Sequence, residues 1–297
     1  MPTRRRVLQQ LAAGAALATI GVPAFAADVA AGADDFIAAI RDLEARYGGR
    51  MGVAVHDAAL GRAVAHRGDE RFLMCSTVKL PAAAMILSRV DAGRESLDRH
   101  IDYAAADLVT YSPATERHVA TGMTLGAICR AGLTLSDNTA ANLMLASVGG
   151  PAALTVFLHS LGDNVTRSDR YETALNEHAP DRLHDTTSPR AMLGLMQRVL
   201  LGDGLSAPSQ RQLVAWMRAN ETGDHRLRAG LPDAWRIGDK TGSGGDNTAN
   251  DIAIIHPGVG APLLVTAYYA GSNATKTQRD RVLADVGRAV GAWHAAG

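Results

Sequence analysis

Segments with strand character lie at the two ends of this 297-residue chain, and the helical ones lie between them. Met51-Gly-Val-Ala-Val55 and Arg62-Ala-Val-Ala-His66 read as a hairpin turning at 58–61. Residues 235–243, 251–256 and 263–270 supply three more strands. An amphipathic helix with Phe36, Ile37, Ile40 and Leu43 on one face precedes the hairpin, and a longer one spans 275–295. From about residue 70 to 217 the pattern is mostly helical. Residues 82–90 are apolar nearly all round, which predicts a buried helix stopped by Gly93. A second runs over 139–148 to Gly149-Gly150, and Pro151 opens a third at a favoured first-turn position. Such an order predicts an α/β (α+β sandwich) protein: a five-stranded antiparallel sheet formed by both termini and flanked by helices, with an all-α domain inserted. The expected boundaries are 27–66 and 218–297 for the α/β part and 67–217 for the helical part.

The first 26 residues read as an export signal. Arg4, Arg5 and Arg6 form a charged start, an apolar stretch covers 11–20, and Ala24-Phe25-Ala26 offers an A-x-A cleavage site. Either the general or the twin-arginine route fits the Arg-rich opening. Cleavage predicts a secreted or periplasmic protein without a membrane anchor, taken to be a monomer. The 30 basic and 30 acidic residues leave no basic excess for nucleic acid. The ten histidines show no H-x-H or H-E-x-x-H spacing, which argues against a zinc hydrolase; no metal or other cofactor is expected. Cys75 and Cys129 are expected to be free and buried.

Only three of the basic residues are lysines: Lys79, Lys240 and Lys276. A chain that covers its surface with arginine needs a reason for each lysine. Lysine, unlike arginine, loses its proton when its surroundings shift its pKa. Two of the three fall in short motifs. In Ser76-Thr77-Val78-Lys79 a helix starting near Ser76 puts both polar residues on one face. A serine hydroxyl needs a neighbouring base before it attacks, and a desolvated lysine is one. Ser136-Asp137-Asn138 precedes an apolar helix and reads as its cap. Lys240-Thr241-Gly242-Ser243-Gly244 reads as an edge strand running into a Gly-rich turn.

Each motif is modest alone. Together, and in this order, S-x-x-K, S-D-N and K-T-G mark penicillin-recognising serine enzymes. A fourth element is Arg170-Tyr171-Glu172-Thr173-Ala174-Leu175-Asn176, followed by Asp185-Thr186-Thr187. With it the chain resembles the class A serine β-lactamases along nearly its whole length after residue 26, with their β-lactamase/transpeptidase-like fold.

The resemblance implies a role for each motif residue. Ser76 would be the nucleophile that opens the β-lactam ring of penicillins and cephalosporins, giving resistance to these antibiotics. Lys79 or Glu172 would be its base. Ser136 would relay a proton to the leaving nitrogen beside Lys240. The backbone N–H groups of Ser76 and Ser243 would form the oxyanion hole. Lys240 and Thr241 would bind the substrate carboxylate and Asn138 the acylamino group, Ser243 would also contact the substrate, and Tyr111 would line the entrance. Glu172 and Asn176 would hold the hydrolytic water, inside an Ω-type loop 170–185 closed by Arg170 with Asp185. Glu172 argues against the related penicillin-binding DD-peptidases, and the intact set argues against a non-catalytic binding protein.

Departures from the common pattern matter. Ala249 stands where many members carry an arginine, and Arg226 is expected to replace it as a carboxylate ligand. Gly244 stands where several carbapenem-hydrolysing members carry a cysteine paired with one like Cys75, so carbapenem hydrolysis is not expected. Cys129 matches half of another family disulfide, but the partner position is Ala83. Thr173 follows Glu172 where proline is frequent. Ser243 with Gly244-Gly245 resembles members that act on oxyimino-cephalosporins.

Overall fold

The computed structural model describes residues 32–258 and 260–296. The expected export signal lies outside them. Helix α1 (Ala33–Tyr47) leads into strands β1 (Arg50–Asp57) and β2 (Arg62–His66). At the other end of the chain come β3 (Arg236–Gly244), β4 (Thr248–His256) and β5 (Leu263–Ala270). They form one antiparallel sheet in the order β2-β1-β5-β4-β3. The five strands match the expected ones within a few residues. Chain ends meet where β1 pairs with β5, from Arg50 opposite Ala270 to Asp57 opposite Leu263.

The helices follow in chain order: α2 (Lys79–Asp91), α3 (Leu125–Thr134), α4 (Asn138–Val148), α5 (Pro151–Ser160), α6 (Pro189–Met196), α7 (Ala207–Arg218), α8 (Leu227–Gly230) and α9 (Lys276–Ala295). Helix α2 is buried all round its first nine residues, as its apolar sequence requires. Each face of the sheet is covered. Phe36, Ile40, Val282, Val286 and Trp293 from α1 and α9 pack on one face with Val53, Val265 and Ile255. Ile252, Leu264 and Tyr268 on the opposite face join the core of the helical half. That half is not purely helical. Phe72–Leu73 pairs with Thr186–Thr187, and His100–Ile101 with Met123–Thr124. Two-residue strands carry no readable periodicity, so only their partners reveal them.

Strand β3 is an edge strand, and its outer side borders the helical half. The Ser76 segment is pinned against it. Asn250 Nδ2 on β4 donates to the carbonyls of Leu73 (2.8 Å) and Met74 (3.1 Å). A Cβ at Gly242 would stand 2.8 Å from the Met74 carbonyl oxygen, so only glycine lets strand and turn approach this closely.

Candidate active site

Ser76 sits on a single 3-10 turn, Cys75–Val78, that flows directly into α2. Cys75 before it has φ +48°, a left-handed conformation that costs a non-glycine residue about 1–3 kcal/mol. Ser136 (φ +60°) and Tyr111 (φ +66°) share this feature. Three such residues around one cleft mark backbone held in place by its surroundings. Much of the holding comes from Asp137. Its buried carboxylate caps α4 by accepting from Ala140 N (2.8 Å), and it accepts from the backbone N–H groups of Ala114 and Thr115, both at 2.9 Å. The loop bearing Tyr111 is thereby fastened to the turn bearing Ser136.

Lys79, one turn after Ser76, is fully buried. Its Nζ donates to Ser76 Oγ (2.7 Å), Asn138 Oδ1 (2.8 Å) and the Ser136 carbonyl (3.0 Å). It also lies 2.9 Å from Glu172 Oε1. Burial pulls the Lys79 ammonium below the usual lysine range, against the opposing attraction of Glu172. Lys240 is also fully buried and donates to Ser136 Oγ (3.0 Å) and the Thr241 carbonyl (2.9 Å). Burial first, then the nearby Lys79 charge, pushes Lys240 well below the usual range, with Asp239 opposing. Ser136 Oγ thus stands between two depressed amines, 3.4 Å from Lys79 Nζ.

Glu172 approaches from the Ω-type loop. Its Oε1 accepts from Ser76 Oγ at 3.4 Å, and its Oε2 accepts from Asn176 Nδ2 at 2.6 Å. Buried Asn176 Oδ1 finds no protein partner among the described residues, which leaves an acceptor beside the Glu172 carboxylate. The loop is closed by Arg170 Nε on Asp185 Oδ2 at 2.6 Å, and Asp185 also accepts from the backbone of Asp169 and Arg170. The Glu172–Thr173 peptide is cis. On the sheet side, Gly245 N donates to the Asn176 carbonyl at 2.8 Å and docks the loop on the turn after β3.

Ser76, Ser136, Asn138, Asn176, Thr241, Ser243, Arg226 and Tyr111 all line one cleft of about 510 Å³. Tyr111 is 57% exposed and stands at its rim. Arg226 is buried. Its guanidinium donates to the carbonyls of Gly242 (2.8 Å) and Asn250 (2.7 Å), to Ser243 Oγ (2.7 Å) and to Asp280 Oδ1 (2.8 Å). Asn138 does more than face the cleft, since its Oδ1 holds Lys79 and its Nδ2 donates to the Thr110 carbonyl (2.8 Å). Ala249 pairs with Ser243 across β3 and β4. Both cysteines are free and buried. A Cβ at Gly244 would lie 2.6 Å from Cys75 Sγ, so these two positions do adjoin.

Some site residues escaped the sequence reading. Asn142 brackets Glu172: its Oδ1 accepts from Glu172 N (2.8 Å) and its Nδ2 donates to the Glu172 carbonyl (3.0 Å). The available signal was its place one turn after Asn138 in an otherwise apolar stretch of α4. Thr222, whose hydroxyl meets that of Thr241 at 2.5 Å, and Asp280, the partner of Arg226, carried no motif at all.

A family model described as the beta-lactamase enzyme family matches residues 35–294. The chain is 45% identical over 296 residues to Beta-lactamase L2 of Stenotrophomonas maltophilia, covering 97% of this chain and 98% of that protein. It is 43% identical over 251 residues to Beta-lactamase OXY-2 of Klebsiella oxytoca, covering 84% and 87%. Among solved structures, an ancestral (GNCA) class A β-lactamase superposes with a TM-score of 0.84 at 58% identity, covering 86% of this chain and 98% of that one. A last-common-ancestor (GNCA4) class A enzyme gives 0.85 at 56%, covering 86% and 98%.

Proposed function

Since the chain belongs to the class A serine β-lactamases, hydrolases of the β-lactam amide bond, we propose that Ser76 is acylated by the opening ring and that Glu172 directs water onto the resulting ester. The observation that carries this reading is the placement of one carboxylate oxygen of Glu172 3.4 Å from Ser76 Oγ, with the other fixed by Asn176.

The chemistry divides into two halves. In acylation, Ser76 Oγ attacks the ring carbonyl while its proton passes to Lys79 Nζ at 2.7 Å. Burial favours the neutral amine that this transfer needs. The tetrahedral oxyanion is held by the backbone N–H groups of Ser76 and Ser243, a contribution of about 3–4 kcal/mol for one such donor. As the C–N bond breaks, the leaving nitrogen takes a proton through Ser136 Oγ, which Lys240 and Lys79 flank. Lys240, Thr241, Ser243 and Arg226 bind the substrate carboxylate, and Asn138 the acylamino group.

In deacylation the ester must be hydrolysed. Glu172 takes a proton from water and Asn176 orients that water; the unpaired acceptor of Asn176 suits this role. A positioned general base is worth about 10²–10⁴-fold. A scaffold without it would stop at the acyl-enzyme.

The reading extends to place and state: a protein exported with loss of residues 1–26, acting in the periplasm as a monomer without a membrane anchor. The Arg-rich start and A-x-A site support the export and the cleavage. An N-terminus at Ala27 in periplasmic extract, and a monomer mass in solution, are the expected results. Activity on oxyimino-cephalosporins is the finer expectation from Ser243 and Gly244-Gly245, and negligible cefotaxime turnover beside benzylpenicillin would remove it.

The deciding experiment is nitrocefin hydrolysis by the purified protein, followed by mass spectrometry. Turnover without a persistent adduct is expected. A stable adduct on Ser76 without turnover would indicate a penicillin-binding protein instead, and no adduct at all would indicate a non-catalytic binder.

A further inference from the structure

Two of the three lysines are absorbed by the chemistry above. The third, Lys276, opens α9 and lines the same cleft as Ser76, Thr241 and Ser243. Unlike the other two it is exposed, with 77% of its side chain accessible. Its Nζ lies 2.9 Å from Asp280 Oδ2, while Asp280 Oδ1 holds Arg226 Nε at 2.8 Å. One carboxylate therefore joins a cation in the cleft wall to a cation at its rim. Burial raises the Asp280 pKa, but the two cations outweigh it and hold the carboxyl below its usual range.

Helix stability does not account for Lys276. A cation in the first turn opposes the helix dipole. A lysine four residues before its acid is the weaker orientation of such a pair, and exposed pairs contribute little. The site is also occupied by lysine in a chain where 27 of the 30 basic residues are arginine. A lysine bound through a single flexible ammonium leaves its partner more readily than a forked guanidinium does. If it leaves, Asp280 remains compensated by Arg226.

We propose that Lys276 is a substrate-binding residue of this cleft: its ammonium swings from Asp280 to the ring carboxylate of the incoming β-lactam, at the outer side of the Arg226 and Ser243 contacts. The inference rests on the proposed lactamase reading and adds the residue that draws in the anionic substrate.

The test compares wild type with Lys276→Gln on benzylpenicillin and on its methyl ester, at low and at physiological ionic strength. Arg288→Gln, which removes another exposed cation of α9 outside the cleft, is the control. At low salt KM for benzylpenicillin rises roughly two- to five-fold in Lys276→Gln with kcat unchanged. The difference shrinks as salt shortens the Debye length from about 30 to 8 Å, and it is missing for the ester and for Arg288→Gln. The inference is overturned by an unchanged KM, by an equal rise with the ester or with Arg288→Gln, or by a proportional fall in kcat. Absence of turnover by wild type would overturn the parent reading instead, and this one with it.

Discussion

The Asn142 carboxamide grips the Glu172 peptide from both ends, accepting from its N–H at 2.8 Å and donating to its carbonyl at 3.0 Å. Helix α4 therefore sets the position of a residue that belongs to a loop 30 positions away. Glu172 is placed by its main chain, and its side chain is left free to meet Ser76 and Asn176. Asn142 is a positioning residue: its side-chain hydrogen bonds go to the Glu172 main chain.

Replacing Asn142 by leucine keeps the volume but strips the side-chain partner from two main-chain groups of the buried Glu172, its N–H and its carbonyl. Leaving such groups unsatisfied costs about 1–3 kcal/mol each. In the proposed mechanism acylation depends on Ser76 and Lys79, which the Cys75–Val78 turn and the start of α2 carry, so the loss should fall on deacylation. Stopped-flow nitrocefin assays should show an intact burst and a steady-state rate roughly ten- to hundredfold lower. A burst slowed as much as the steady state would mean that Asn142 supports the whole site.

Lys79 and Glu172 lie 2.9 Å apart, yet their removal should give opposite burst behaviour. With Glu172→Gln, Ser76 keeps Lys79 Nζ at 2.7 Å as its proposed base and the adduct accumulates. With Lys79→Ala, Ser76 loses that base, and the Glu172 carboxyl stands farther away, at 3.4 Å. Acylation should slow by about 10²–10⁴-fold, with no adduct in rapid-quench mass spectra. Wild-type acylation in Lys79→Ala would assign the first proton transfer to Glu172.

What could be read from the sequence followed periodicity and spacing. The strand pattern of β1, the apolar run of α2 and the amphipathic pattern of α9 each carry their signal within one window, and the structure places them within a few residues of expectation. The three motifs likewise sit at the ends of neighbouring elements, so Ser76, Lys79, Ser136 and Lys240 fall into one hydrogen-bonded chain. The pairings that hold these groups were not legible, even where one partner, Arg226, was expected in the site. Arg226 and Asp280 are 54 positions apart, and Asn250 reaches Met74 across 176. Such pairs leave no local pattern; each partner alone resembles any polar residue on an amphipathic element.

Gly244 faces the loop and the Ser76 turn at once. A Cβ there would lie 2.5 Å from the Asn176 carbonyl oxygen and 2.6 Å from Cys75 Sγ. Gly244→Ala should push the loop off the edge of β3 and weaken the 2.6 Å hold of Asn176 on Glu172. Overpacking of this kind costs about 1–3 kcal/mol. The expected result is a lower Tm together with slowed deacylation of benzylpenicillin. An unchanged Tm with normal turnover would show that the loop yields at no cost.

Asp251 offers the clearest dependence on pH. It is fully buried on β4, accepts from Leu227 N at 3.1 Å through Oδ2, and has no partner for Oδ1 among the described residues. Burial first, then the neighbouring Asp239, raises its pKa well above the carboxylate range, while Arg226 opposes. The folded protein thus keeps a proton that the unfolded chain releases above about pH 4. With more protons bound in the folded state, stability declines as pH rises, by up to about 1.4 kcal/mol per pH unit until the folded pKa is reached. In Asp251→Asn the carboxamide imitates the protonated acid and has nothing to titrate. Denaturant unfolding should find the variant and wild type alike near pH 4, with the variant increasingly the more stable toward pH 7. A gap that stays constant over that range, or a wild type that is the more stable at pH 7, would mean that Asp251 is ionised in the fold and that Arg226 compensates it fully.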